Sequence, residues 1–155
     1  MGRIYSTMDV DGHDGWTLFD SGARNTYVTS EVAENLLVSE PPEPLHTALG
    51  GSVREITKTA VLNGMLQGRP ISTHAMVVDR IGLDENGKPI DILFGALAMQ
   101  QWGIRLVPEL EKIDLSHYPD EFVEFYTLRY FRMGITIPHS LLSRLTMAEL
   151  VSSSS

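Results

Sequence analysis

Short apolar runs, each closed by Gly, Asp or Pro, dominate the first two thirds of the chain. Arg3 to Val10 and Gly15 to Phe19 read as two strands. Between them "DVDGHDG" carries Asp-Gly twice, which is tight-turn chemistry. The period changes in "VTSEVAENLLV". There Thr29 or Ser30 caps, Glu31 suits the first turn, and Val32, Leu36 and Leu37 fall at helical spacing. "SEPPEP", Ser39 to Pro44, ends that helix, because proline lacks an amide hydrogen and drives the residue before it into extended backbone.

Residues 45 to 79 predict β-structure. "LHTALGGSVREITKTAVL" turns at Gly50-Gly51, "NGMLQGRPI" turns at Asn63-Gly64 and again near Gly68, and "STHAMVVD" is the next strand. "DENGKP", Asp84 to Pro89, is a polar loop. "IDILFG" is a continuous apolar run ending on Gly95, the pattern of a buried strand. "ALAMQQWG", Ala96 to Gly103, combines helix formers with a glycine stop, and "IRLVP" and "EKIDLS" are short strands. "PDEFVEFYTLRYFRMG" fits either a helix, with Phe122, Phe125, Tyr126, Arg129 and Met133 near one face, or an edge strand. "PHSLLSRLTMAELV" reads as a terminal helix before a disordered serine tail. Strands with frequent glycine turns predict an all-β fold, a small barrel or sandwich with short helices.

At 155 residues and 43% hydrophobic content, the chain has one-domain length and enough apolar mass for a core. Its net charge is −8, with 12 basic and 20 acidic residues and no basic block, which argues against nucleic-acid binding. The absence of cysteine excludes disulfides and thiolate chemistry, and fits a reducing, cytoplasmic setting. The N-terminus lacks the pattern of a secretory leader, and no apolar stretch approaches the ~20 residues that span a bilayer, so no membrane partner is expected.

Asp20 ends the second strand and is followed at once by Ser21, Gly22 and Ala23. A buried carboxylate needs a partner. Either Asp20 accepts backbone amides in a Ser-Gly turn, or it works in a pair with a second carboxylate, the two sharing one proton. In the second reading Gly22 permits a tight backbone approach, and Ser21 hydrogen-bonds the opposing loop. Calcium chemistry is a weaker fit. Asp9, Asp11 and Asp20 match three EF-hand loop positions, but His13 and Asp14 break the pattern and no flanking helices are predicted. His13, His46, His74, His117 and His139 are scattered without metal-ligand spacing, so no metal site is expected. No nucleophile elbow or phosphate-binding glycine loop occurs. Trp102 reads as a packing residue.

"LFDSGARNTYVT", followed about seventy residues later by "DILFGALAMQQWGI", resembles the retropepsin-like aspartic proteases. Leu18-Phe19 precede Asp20-Ser21-Gly22-Ala23, Leu93-Phe94-Gly95 supply the second hydrophobic-Gly element, and Leu49-Gly50-Gly51-Ser52 stand where the family's flap would lie. The match runs over roughly residues 4 to 115. It implies a closed β-barrel of acid-protease type over 1–118, with 119–151 as a C-terminal extension available for dimerisation and 152–155 as a tail.

The resemblance also implies a function. No second D-[ST]-G occurs, so two chains would each contribute Asp20 to one active site. The flap would close over a peptide or protein substrate held as an extended strand, with no metal or organic cofactor. Arg24 stands where viral members usually carry an acid, and Leu97 where cellular relatives often carry Asp. Two other readings follow from these departures and from the unusual tail: an inactive dimerisation or peptide-binding module of the same fold, and a domain that only processes its own precursor.

Overall fold

A computed structural model of the protein describes residues 2–120. β1 (Arg3–Val10) and β2 (His13–Asp20) form an antiparallel hairpin around Asp11-Gly12. Both turn residues have positive φ, 52° and 79°, as a two-residue hairpin turn requires. Asp9 Oδ1 accepts the Gly12 amide at 2.8 Å and steadies it. The Asp residues that matched part of a calcium loop therefore serve a hairpin.

β2 lies parallel to β9 (Ile92–Phe94), and β9 runs antiparallel to β3 (Tyr27–Thr29). β3 is parallel to β8 (Arg69–Val78), which forms a hairpin with β7 (Thr59–Leu66). β7 meets β1 where Met65 faces Asp9, so six strands close on themselves. β4 (Leu37–Ser39) pairs with the first residues of β7. Two hairpins stand apart from this barrel: β5 (Leu45–Leu49) with β6 (Ser52–Ile56), and β10 (Arg105–Val107) with β11 (Lys112–Asp114). The helices are short, α1 (Ser30–Ala33) and α2 (Ala96–Gln101). The fold is all-β, a closed barrel with short helices.

Strand alternation splits the apolar residues between two cores. Phe19, Val28, Ile92 and Phe94 point into the barrel with Met8, Leu62, Leu66 and Ile71. Leu18, Tyr27 and Leu93 point the other way, where Leu49, Ile56, Val78 and Ile90 cover them. Because β9 is buried on both faces, it reads as an unbroken apolar run rather than an alternating one.

Two local expectations are corrected. Asn63-Gly64 is not a turn but the interior of β7; the turn lies at Gln67-Gly68, with φ of 49° and 78°. Gly64 is needed for closeness, since a Cβ there would come within 2.9 Å of Met8 Sδ and 3.1 Å of the Asp9 carbonyl oxygen. The helix after Ser30 is a single turn, and Leu37–Ser39 are strand. Val32 and Leu36 still pack on the core, but β7 offers the following residues an edge to pair with. The proposed C-terminal helix and the dimer-forming extension lie outside the described residues.

Candidate active site

The register of the first hairpin sets Arg3 opposite Asp20 at the end of β2. The Asp20 side chain is 7% exposed, yet both its oxygens are partnered. Oδ1 accepts the Gly22 amide at 2.8 Å, an Asx-type turn, and Oδ2 accepts Arg3 Nε–H at 2.9 Å. The turn closes with the Ala23 amide donating to the Asp20 carbonyl at 3.1 Å. Arg3 itself is 71% exposed, so a largely solvated cation holds a buried carboxylate. Ser21 fastens the loop to the N-terminal segment of the same chain. Its Oγ accepts the Gly2 amide at 2.9 Å and donates to the Gly2 carbonyl at 3.2 Å, and its own amide donates to that carbonyl at 3.1 Å.

Gly95 sits directly beneath this loop. A Cβ there would lie 2.2 Å from the Asn25 carbonyl oxygen and 2.9 Å from that of Arg24. No side chain fits between backbones that close. Three hydrogen bonds fix the approach: Gly95 N–H to Thr26 Oγ1 at 3.1 Å, Ala96 N–H to the Ala23 carbonyl at 2.7 Å, and Leu97 N–H to the Arg24 carbonyl at 3.1 Å. Thus the Asp20–Ala23 loop and the Leu93–Gly95 element, far apart in sequence, meet in one place. Leu97 and Arg24 contribute backbone here, and both side chains are exposed.

Leu18 and Asp20 share one face of β2, which Leu93 and Tyr27 extend across β9 and β3. The β5–β6 hairpin covers this face. Its tip residues Gly50 and Gly51 have φ of 60° and 80°, and Ser52 Oγ donates to the Leu49 carbonyl at 3.2 Å. Leu49 is buried against Leu18, Tyr27 and Leu93, while Gly50, Gly51 and Ser52 are exposed. Midway along the hairpin, the Thr47 hydroxyl lies 2.5 Å from the Tyr27 hydroxyl.

Asp84 braces the loop leading into β9. Its Oδ1 accepts the Asn86 and Lys88 amides, each at 2.8 Å, and Oδ2 accepts Trp16 Nε1–H at 2.9 Å. The Lys88 amide is the leading cause holding this carboxyl below its ordinary value. Trp16 in turn stacks on Tyr5 at 5.8 Å, with the Lys88 ammonium 4.0 Å from its ring centre. Among the described residues no group of three His, Asp or Glu could hold a metal ion.

Sequence reasoning did not single out Arg3, Thr26, Tyr27 or Thr47. For Arg3 a signal existed: a turn at Asp11-Gly12 fixes the register that pairs it with Asp20. Tyr27 and Thr47 are joined only by the folding of the hairpin onto β3, so no local pattern marks them.

No protein-family model and no curated protein matches the chain. Solved structures do. The retroviral protease-like domain of Ddi1 from Leishmania major aligns over 75% of this chain and 90% of its own, at 14% identity with a TM-score of 0.51. The protease of EIAV in complex with the inhibitor HBY-793 aligns over 68% and 93%, at 20% identity with a TM-score of 0.45. The solution structure of simian foamy virus protease aligns over 64% and 92%, at 16% identity with a TM-score of 0.41. With its closed barrel and covering hairpin, the chain has a retropepsin-like fold.

Proposed function

We propose that the protein is an aspartic endopeptidase that acts as a homodimer, with Asp20 of each chain forming one pair. The observation that carries this reading is a buried carboxylate at the end of a strand, braced by a glycine amide and lying on the face that the β5–β6 hairpin covers. In the pair, the ionised carboxylate takes a proton from a water molecule held between the two. The hydroxide equivalent adds to the peptide carbonyl carbon, and the protonated carboxyl donates to the carbonyl oxygen. Collapse of the tetrahedral species breaks the C–N bond as the nitrogen accepts a proton, and the pair regains its single shared proton. Arg3 holds Oδ2 in the single chain. Pairing with a second Asp20 requires it to swing outward, which its exposure permits. Activity should be highest in mildly acidic solution, because the pair must keep one proton.

The same ion pair favours a second reading, a peptide-binding module without catalysis, because Asp20 is already satisfied within one chain. The deciding experiment compares wild type with Asp20→Asn on a peptide library, with products identified by mass spectrometry. Cleavage by wild type alone is expected. Equal cleavage by both proteins, or none by wild type together with saturable peptide binding, overturns the endopeptidase reading.

A further inference from the structure

Where β6, the Thr57-Lys58 link and the end of β8 come together, an open cavity of about 740 Å³ is lined by Arg54, Lys58 and Arg80, with Ser30, Glu55 and Asp79. In a chain of net charge −8, three cations on one cavity call for a reason. None of the three has a carboxylate within 4.0 Å among the described residues, where the ion pair found is Arg3 with Asp20. Asp79 accepts from Ser30 Oγ at 3.4 Å. Glu55 alternates with Arg54 and Ile56 along β6 and is exposed.

The register of the covering hairpin locates Arg54 further. Leu45 faces Ile56, Thr47 faces Arg54, and Leu49 faces Ser52. Ile56 and Leu49 are buried in the core beneath the hairpin, and Thr47 reaches down to Tyr27. Arg54 shares their side, so it points inward, and its Nη1 donates to the Arg80 carbonyl. It thus stands at the edge of the same face that carries Asp20, half-buried, with the rest of its guanidinium fork uncommitted.

We propose that Arg54, Lys58 and Arg80 form a carboxylate-binding subsite, which selects peptides carrying a Glu or Asp side chain at one position flanking the segment held beneath the hairpin. The inference rests on the peptide-binding reading above but not on cleavage. An extended peptide presents alternate side chains sideways, and a guanidinium fork matches a carboxylate in two parallel hydrogen bonds. Neither Glu55 nor Asp79 neutralises the three cations, so an incoming carboxylate meets a net positive cavity.

The test uses the full chain as Asp20→Asn, which leaves peptides intact. Labelled decapeptide libraries, with one position at a time fixed as Glu, Gln or Lys, are titrated by fluorescence anisotropy at low and high salt. Glu should bind about fivefold more tightly than Gln at one position, the size of a partly screened ion pair, and Lys more weakly than Gln. The preference should shrink at high salt and fall to near parity in Arg54→Gln. Because that change also removes the bond to the Arg80 carbonyl, Lys58→Gln and Arg80→Gln are measured too; each should cut the preference about twofold. A Glu-to-Gln ratio near one at every position, or one unchanged in all three variants, overturns the proposal, as does failure of every library to bind. Wild-type cleavage without an acidic preference sinks this subsite alone. An Arg54-dependent preference in a chain that never cleaves sinks the endopeptidase reading alone.

Discussion

Replacing Gly95 with alanine probes the junction beneath Asp20 most directly. Gly95 has φ −93° and ψ 177°, extended backbone that alanine adopts without strain, so the change tests space alone. The new methyl would lie 2.2 Å from the Asn25 carbonyl oxygen and 2.6 Å from its carbon. Ordinary contact begins near 3.4 Å, so two backbone segments must part by about 1.2 Å. Neither can yield as a side chain would. Overpacking of this kind costs about 1–3 kcal/mol. The three hydrogen bonds spanning the junction weaken with it, each worth about 1 kcal/mol. A loss of about 4 kcal/mol is expected, a large part of the ~5–15 kcal/mol that holds a domain together. The assay is equilibrium urea unfolding followed by tryptophan fluorescence. With a slope of about 1.5 kcal/mol per molar, the midpoint should fall by about 2.5 M. Gly87→Ala is the control: its φ is 80° and nothing lies within 4 Å, so only backbone strain of about 1 kcal/mol is expected. If Gly95→Ala loses less than Gly87→Ala, the close approach does not organise the Asp20 loop.

Tyr27→Phe removes the hydroxyl that holds Thr47, and should speed amide exchange across residues 45–56 about fivefold, equivalent to about 1 kcal/mol, while the barrel strands stay protected. Equal exchange in the two proteins would mean that the hairpin rests on Leu49 and Ile56 alone. Arg3→Ala should destabilise by about 1 kcal/mol or less, since the guanidinium is mostly solvated, and the difference should narrow in 0.5 M salt; a salt-independent loss would assign the effect to packing. Asp84 has a folded-state value below its unfolded 3.8, so its contribution is complete above that value and is lost as the pH falls through the lower folded one. The gap in urea midpoint between wild type and Asp84→Asn should therefore be full at neutral pH and close on acidification below about 4; a gap that widens there refutes the assignment.

Local chemistry was legible where the chain itself carries it. The Gly50-Gly51 tip, the Asp84–Pro89 loop, the run into Gly95 and the short helix after it are each specified by residues adjacent in sequence. Where two local signals compete, sequence reading fails. "DVDGHDG" offers two Asp-Gly pairs, and only the choice of Asp11-Gly12 puts Arg3 across from Asp20. Asn63-Gly64 has turn composition, yet Met8 approaches so closely that a glycine is needed inside the strand instead. Leu37 matches a helical period, but the open edge of β7 draws it into a strand.

The sequence by itself determined the all-β class and the residues of the Asp20 turn and the Leu93–Gly95 element, because strand periodicity and turn conformation depend on near neighbours. The tertiary structure alone decided what those residues meet. It set Gly95 under Asn25, the Thr47 hydroxyl on Tyr27, and Arg54 with Arg80 at the edge of the Asp20 face. Each of these joins elements remote in sequence, and the strand register that aligns them comes from long-range pairing and from how the two cores fill.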